Sequence, residues 1–158
     1  MRVSLLILMA GIVFVSCTSK TETAEDTGKL PDTRPLDLVL KMREDGGMMN
    51  HQTNLYISAD SSFFKVSDHN IDSITFFKLT DVQMDSLYLV LKTNQFDEIK
   101  YLMDTAVLDR GGLSVDVFWN NNQNIISVDD SGQAFVDERW HKQWGAVLQY
   151  LDQYIDKR

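Results

Sequence analysis

The sequence predicts an α+β domain, an antiparallel sheet with two helices packed on one face. Three observations point to it. Apolar and polar residues alternate from Leu36 to Leu79; the spacing turns helical after Thr80 and again after Asp137; and an asparagine run, Asn120-Asn121-Asn122-Gln123-Asn124, joins two further alternating stretches.

Leu36, Leu38, Leu40 and Met42 alternate with Asp37, Val39, Lys41 and Arg43, the pattern of a strand with one buried face. Glu44-Asp45-Gly46-Gly47 is a turn. A second strand over 53–58 directs Leu55 and Ile57 inward. Asp60-Ser61-Ser62 then leads into a strand over 63–67, and Asp68-His69-Asn70 into another over 74–79. Short runs separated by such turns make an antiparallel meander.

Thr80-Asp81-Val82-Gln83 has the form of a capping box, with Leu79 and Met84 placed to staple the helix start. Met84, Leu87, Tyr88 and Leu91 share one helical face, and Asn94 is read as a left-handed stop. Phe96, Ile99, Tyr101 and Leu102 are expected to cover an edge of the core. Arg110-Gly111-Gly112 turns into a strand over 113–119 with Leu113, Val115, Val117 and Trp119 on one face. The asparagine loop suits a hairpin because Asn tolerates positive φ. A strand over 125–129 returns, and Asp130-Ser131-Gly132 ends it. The final helix, 137–155, carries an apolar stripe of Trp140, Trp144, Val147, Leu148, Leu151 and Ile155.

The chain opens differently. Arg2 precedes an apolar run from Val3 to Val15 that ends at Ser16-Cys17. The run is shorter than the roughly 20 residues needed to span a bilayer and has the length and flanks of an export signal. Phe14-Val15-Ser16-Cys17 resembles a lipobox, the motif of bacterial lipoprotein precursors. The resemblance implies removal of residues 1–16 and diacylglycerol on Cys17. Thr18 stands where an Asp would retain such proteins at the inner membrane, which implies the outer membrane. A secretory signal cut nearby and an uncleaved anchor remain as alternatives. Residues 17–35 are rich in Thr, Asp, Glu and Lys and hold both prolines, so a flexible tether is expected there, with one domain over 36–158.

The chain has 158 residues and a net charge of −8; loss of residues 1–16 would make it one charge more negative. That balance argues against nucleic acid and against electrostatic docking on anionic lipid. Cys17 is the single cysteine, which rules out an intrachain disulfide and a cysteine-rich zinc site. His51 and His69 fall in expected turns and His141 on the polar side of the last helix, without metal-site spacing. The sequence contains no HExxH, no GxSxG and no phosphate-binding glycine loop. Asp129-Asp130-Ser131-Gly132 lacks the alternating ligands of a calcium loop and reads as a turn. No cofactor, metal or catalytic residue is expected.

One local feature suits protein contact. Asp45-Gly46-Gly47-Met48-Met49 places two large flexible apolar residues at a glycine turn, either as an adaptable contact through Gly46, Gly47, Met48 and Met49 or folded back on the sheet. The order of Arg43 with Gly46-Gly47, a strand, a leucine-rich helix leading into Asn94-Gln95-Phe96-Asp97, a hairpin and a closing helix resembles the emfourin family. These are small inhibitors of thermolysin-type metalloproteases. Residues 63–79 and the longer last helix are additions to that pattern. The resemblance implies a non-enzymatic binding module, as a protease inhibitor or an immunity-like protector. The alternative is an accessory subunit of an envelope complex, and a small hydrolase without a visible motif ranks last.

Overall fold

The computed structural model describes residues 28–47, 51–69, 71–104 and 110–155. Strands β1 (Val39–Asp45), β2 (His51–Ser58), β3 (Ser62–Asp68) and β4 (Ile71–Phe77) form the meander. Helix α1 (Asp81–Thr93) follows, then the short strand β5 (Tyr101–Met103), the hairpin of β6 (Gly112–Trp119) and β7 (Asn124–Asp130), the short strand β8 (Ala134–Val136) and helix α2 (His141–Ile155). The main sheet has six strands in the order β4-β3-β2-β1-β6-β7, each pair antiparallel. β5 and β8 pair separately. The α+β architecture read from the sequence is the architecture found.

The register explains why one face is apolar throughout. Leu40 lies opposite Ile57 on one side and Val117 on the other; Met42 lies opposite Leu55 and Val115. Phe64 and Val128 extend this layer outward. Met84, Leu87, Tyr88 and Leu91 of α1 and Trp144, Val147 and Leu151 of α2 pack against it in one continuous core. Burial at about 25 cal/mol per Å² makes this layer the main source of stability.

Thr80 caps α1 as expected. Its side chain accepts from the Gln83 backbone N–H, and Gln83 Oε1 accepts from the Thr80 N–H. The hairpin loop also behaves as read: Asn120, Asn121 and Asn122 all have positive φ, between 55° and 64°.

Several expectations need correction. Leu36 is 85% exposed, because the strand begins at Val39 and the chain turns at Leu36 and Asp37. Asn94 has φ −94°, and the left-handed residue is Gln95, φ 51°. Tyr101 and Leu102 are exposed rather than covering the core, whereas Phe96 and Ile99 are buried. His51 opens β2 instead of lying in a turn. The expected tether is overturned for residues 28–35. Leu30 is 3% exposed, its N–H donates to Asp97 Oδ2 at 3.1 Å, and its carbonyl accepts from Lys92 Nζ at 3.0 Å. Arg34 Nε pairs with Asp85 at 2.7 Å. One leucine suffices to dock a polar segment when its backbone groups also find partners.

Candidate functional site

The glycine turn singled out by sequence is held tightly where it is described. Gly46 N–H donates to the His51 carbonyl at 2.8 Å, and Gly47 N–H donates to Asp45 Oδ1 at 2.8 Å. Gly47 has φ 61°, a conformation that favours glycine. Gly111 presses against this turn: a methyl there would stand 2.6 Å from the Asp45 carbonyl oxygen and 2.9 Å from the Gly47 nitrogen. The absence of a side chain at Gly111 thus lets the segment that enters β6 lie against Asp45–Gly47 at the end of the neighbouring β1, which is an architectural role. Met48, Met49 and Cys17 lie outside the described residues.

The Asp129–Gly132 segment is likewise architectural. Asp129 Oδ1 accepts from the Ser131 N–H and hydroxyl at 3.0 and 2.6 Å. Asp130 accepts from Arg110 Nη2 at 3.0 Å, from Trp144 Nε1 at 3.3 Å and from the Val136 N–H at 3.3 Å. These bonds use the carboxylates to tie the turn to β8 and α2, a link that the sequence reading did not contain.

A second surface, absent from the sequence reading, is the sheet face opposite the helices. Pairing places Phe76, Phe63, Tyr56, Lys41, Asp116 and Ser127 in one row across all six strands. Tyr56 and Phe63 stack at 5.2 Å with an interplanar angle of 8°, and Phe63 meets Phe76 edge-on at 6.1 Å. Phe76 is 73% exposed and Ile74, in the neighbouring row, is 50% exposed. Lys41 Nζ sits 4.6 Å from the Phe118 ring centre, within cation–π range. A shallow cleft of about 450 Å³ runs between Lys41, Arg43, Asn54, Tyr56, Phe63 and Asp116.

The charges on this face are arranged around the aromatic row. Lys65 pairs with Asp72 at 2.7 Å, and that hydrogen bond, with one from Ser67, holds the Asp72 carboxyl below its usual range. Arg43 lies 3.4 Å from Asp45 Oδ2. With the Gln52 amide oxygen turned towards it, Arg43 also donates from Nε at 2.7 Å and from Nη2 at 2.9 Å. Lys41, Arg43 and Lys65 thus alternate with Asp116, Asp45 and Asp72 around the aromatic row, a mixed-charge rim.

The sequence did hold a signal for this row. Phe63-Phe64 and Phe76-Phe77 are adjacent pairs within strands, and alternation sends one ring of each pair to either face. Phe64 goes to the core, and Phe77 stacks on Tyr154 of α2 at 5.8 Å. Phe63 and Phe76 are therefore forced onto the open face.

Among the described residues no group of three His, Cys, Asp or Glu side chains is placed to hold a metal ion. Also among them, no helix is long and apolar enough to cross a membrane. Asp37 and Asp137, like Asp72, have carboxyls held low, Asp37 chiefly by the Asn121 N–H and Asp137, at about 2, chiefly by the Arg139 side chain. Carboxylates held ionised in this way suit fixed charge pairing and do not supply a proton near neutrality. No protein-family model matches the chain, and no curated protein matches it.

Proposed function

We propose that this chain is a bacterial outer-membrane lipoprotein, anchored through Cys17, whose acidic domain binds another protein and performs no catalysis. The binding reading rests on the open sheet face with its Tyr56, Phe63 and Phe76 row. Contiguous exposed apolar surface of this kind marks interaction sites on soluble domains. Tyrosine and arginine are among the side chains that dominate interface energetics, and the aromatic row with its rim of paired charges suits a partner surface with an apolar centre and a polar edge. Inhibition of a thermolysin-type metalloprotease is the specific form that the emfourin resemblance supplies. An accessory role in an envelope complex would use the same face.

The test is retrieval from envelope extract with the native chain and with Tyr56→Ser combined with Phe63→Ser. The variant should lose the partner while stability falls by only about 1 kcal/mol, the size of a cross-strand aromatic pair. The same proteins retrieved by both chains would sink the open face as the binding site. A metalloprotease in the retrieved set, inhibited by the native chain alone, separates inhibitor from accessory subunit. Intact mass tests the anchor: the mature protein should start at Cys17 and carry diacylglycerol.

A further inference from the structure

We propose that the chain self-associates by pairing β4 with β4 of a second copy, antiparallel about a two-fold axis at Thr75, so that two six-stranded sheets become one. The proposal goes beyond the protein-binding reading and stands without it.

β4 is an edge strand, and among the described residues nothing pairs with it beyond β3. All of Ile71–Phe77 is exposed except half-buried Phe77. Exposed edges offer a row of unpaired backbone donors and acceptors, and proteins usually blunt them with charged side chains, proline, a bulge or a very short strand. Of these β4 has only the charges Asp72 and, just beyond it, Lys78. It is seven residues long, lacks proline, and runs from Ser62↔Phe77 to Asp68↔Ile71 without a bulge. Its outward side chains include the exposed Ile74 and Phe76.

The occupant is identified by the strand itself, because Asp72-Ser73-Ile74-Thr75-Phe76-Phe77-Lys78 is complementary to its own reverse. In an antiparallel pair centred on Thr75, Asp72 stands opposite Lys78 of the second copy. Ile74 then stands opposite Phe76, Ser73 opposite Phe77, and Thr75 opposite itself. Ile74 and Phe76 share the open face with Phe63 and Lys65, and Asp72 and Lys78 continue that side by alternation. The order charge, apolar, apolar, charge is thus matched at every position, twice, by symmetry. Opposite charges and apolar pairs placed directly across a sheet are each favourable.

Other arrangements break the match. Centring on Ile74 sets Asp72 against Phe76, and centring on Phe76 sets Ile74 against Lys78. Parallel pairing in register sets Asp72 against Asp72. Asp72 accepts from Lys65 at Oδ2 and from Ser67, and its half-exposed carboxylate has further lone pairs for the incoming lysine. Lys78 is exposed and, among the described residues, forms no ion pair of its own. An isologous two-fold contact of this type closes on itself and stops at the dimer.

Cross-linking of the full-length chain tests the axis. Thr75→Cys is made together with Cys17→Ser, so that the introduced thiol is the only one. Directly opposed strand positions have Cα atoms about 4.5–5.5 Å apart, inside the disulfide range of about 4.4–6.8 Å. Mild oxidation should give a covalent dimer. Ser73→Cys, in the same background, puts the two thiols roughly 13 Å apart along the strands and should give none. Asp72→Lys should lower the Thr75→Cys yield several-fold through like-charge contact, and adding Lys78→Asp should restore it. All four positions are exposed, so far-UV circular dichroism should be unchanged. The proposal is overturned by a Thr75→Cys chain that stays monomeric or links only to other proteins. Equal dimer yield at positions 73 and 75 overturns it too, as does a yield indifferent to Asp72→Lys.

Discussion

The indole Nε1 of Trp144 donates to Asp130 Oδ2 at 3.3 Å, tying the buried face of α2 to the end of the β6–β7 hairpin. The ring itself is 4% exposed and lies 6.5 Å from the Phe96 ring. One side chain therefore fills the core and orients the helix that closes it.

Trp144→Ala should cost on the order of 3–5 kcal/mol, since it empties a core site and strands part of the Asp130 carboxylate. Trp144→Phe keeps most of the volume and loses the bond to a charged acceptor, so about 1–2 kcal/mol is expected. Leu148 is only half-buried on the same helix, and Leu148→Ala should cost less than Trp144→Ala. Denaturant melts on the three variants check the order. A nearly neutral Trp144→Ala would mean that α2 does not depend on this contact.

The second prediction concerns the start of the domain. A chain beginning at Leu36 loses the buried Leu30 side chain, the Arg34–Asp85 pair, and the carbonyl of Pro31 that accepts from the Tyr88 hydroxyl. It should be less stable than a chain beginning at Gly28. Leu30→Ala alone should account for about 2–4 kcal/mol of that difference. Arg34→Ala should contribute about 1 kcal/mol or less, because both of its carboxylate partners are exposed. Equal melting midpoints for the two chains would show that residues 28–35 rest on α1 without stabilising it.

What the sequence revealed, and what it hid, divides along a physical line. Alternation and helical spacing report which side chains face a common core, so the Leu40, Met42, Leu55 and Ile57 layer and the two helix faces were legible. The capping box at Thr80 was legible because its hydrogen bonds lie within four residues. Leu30 was not, because a single leucine in a polar segment has no period, and its partners Asp97 and Lys92 are more than 60 positions away. The open aromatic row was missed for a related reason. Phe63 and Phe76 belong to different strands, and only the register of β3 with β4 brings them together. Tyr154 escaped the apolar stripe assigned to α2 because its hydroxyl marks it as polar, although its ring stacks on Phe77. Of the residues read as a contact site, Gly47 has a positive φ that favours glycine, and Met48 and Met49 lie outside the described residues; the close approach to Asp45–Gly47 explains Gly111, which the sequence showed only as part of a turn.

The third prediction is an alkaline one and follows from Tyr88. Its phenol is buried, and burial, aided by the nearby negative charges of Asp97 and Asp32, raises its pKa from 10.0 to about 12. The hydroxyl donates to the Pro31 carbonyl, so the neutral form is the one that the fold accommodates. Below pH 10 the phenol is protonated in the folded and the unfolded chain alike, and its contribution to stability is complete. Between pH 10 and about 12 the unfolded chain releases this proton while the folded chain keeps it, so stability falls as pH rises. Two pKa units correspond to a loss on the order of 2 kcal/mol by the upper end of that window. Burial also raises Tyr154, which adds a loss of the same sign. Tyr88→Phe should therefore flatten the fall without abolishing it, at a cost near neutrality of about 1 kcal/mol for the missing hydrogen bond. Urea melts at a series of pH values above 9 give the comparison directly. If the native chain and Tyr88→Phe lose stability in parallel through this window, Tyr88 is not held neutral by the fold, and the docking of residues 28–35 over it is looser than the bond to Pro31 implies.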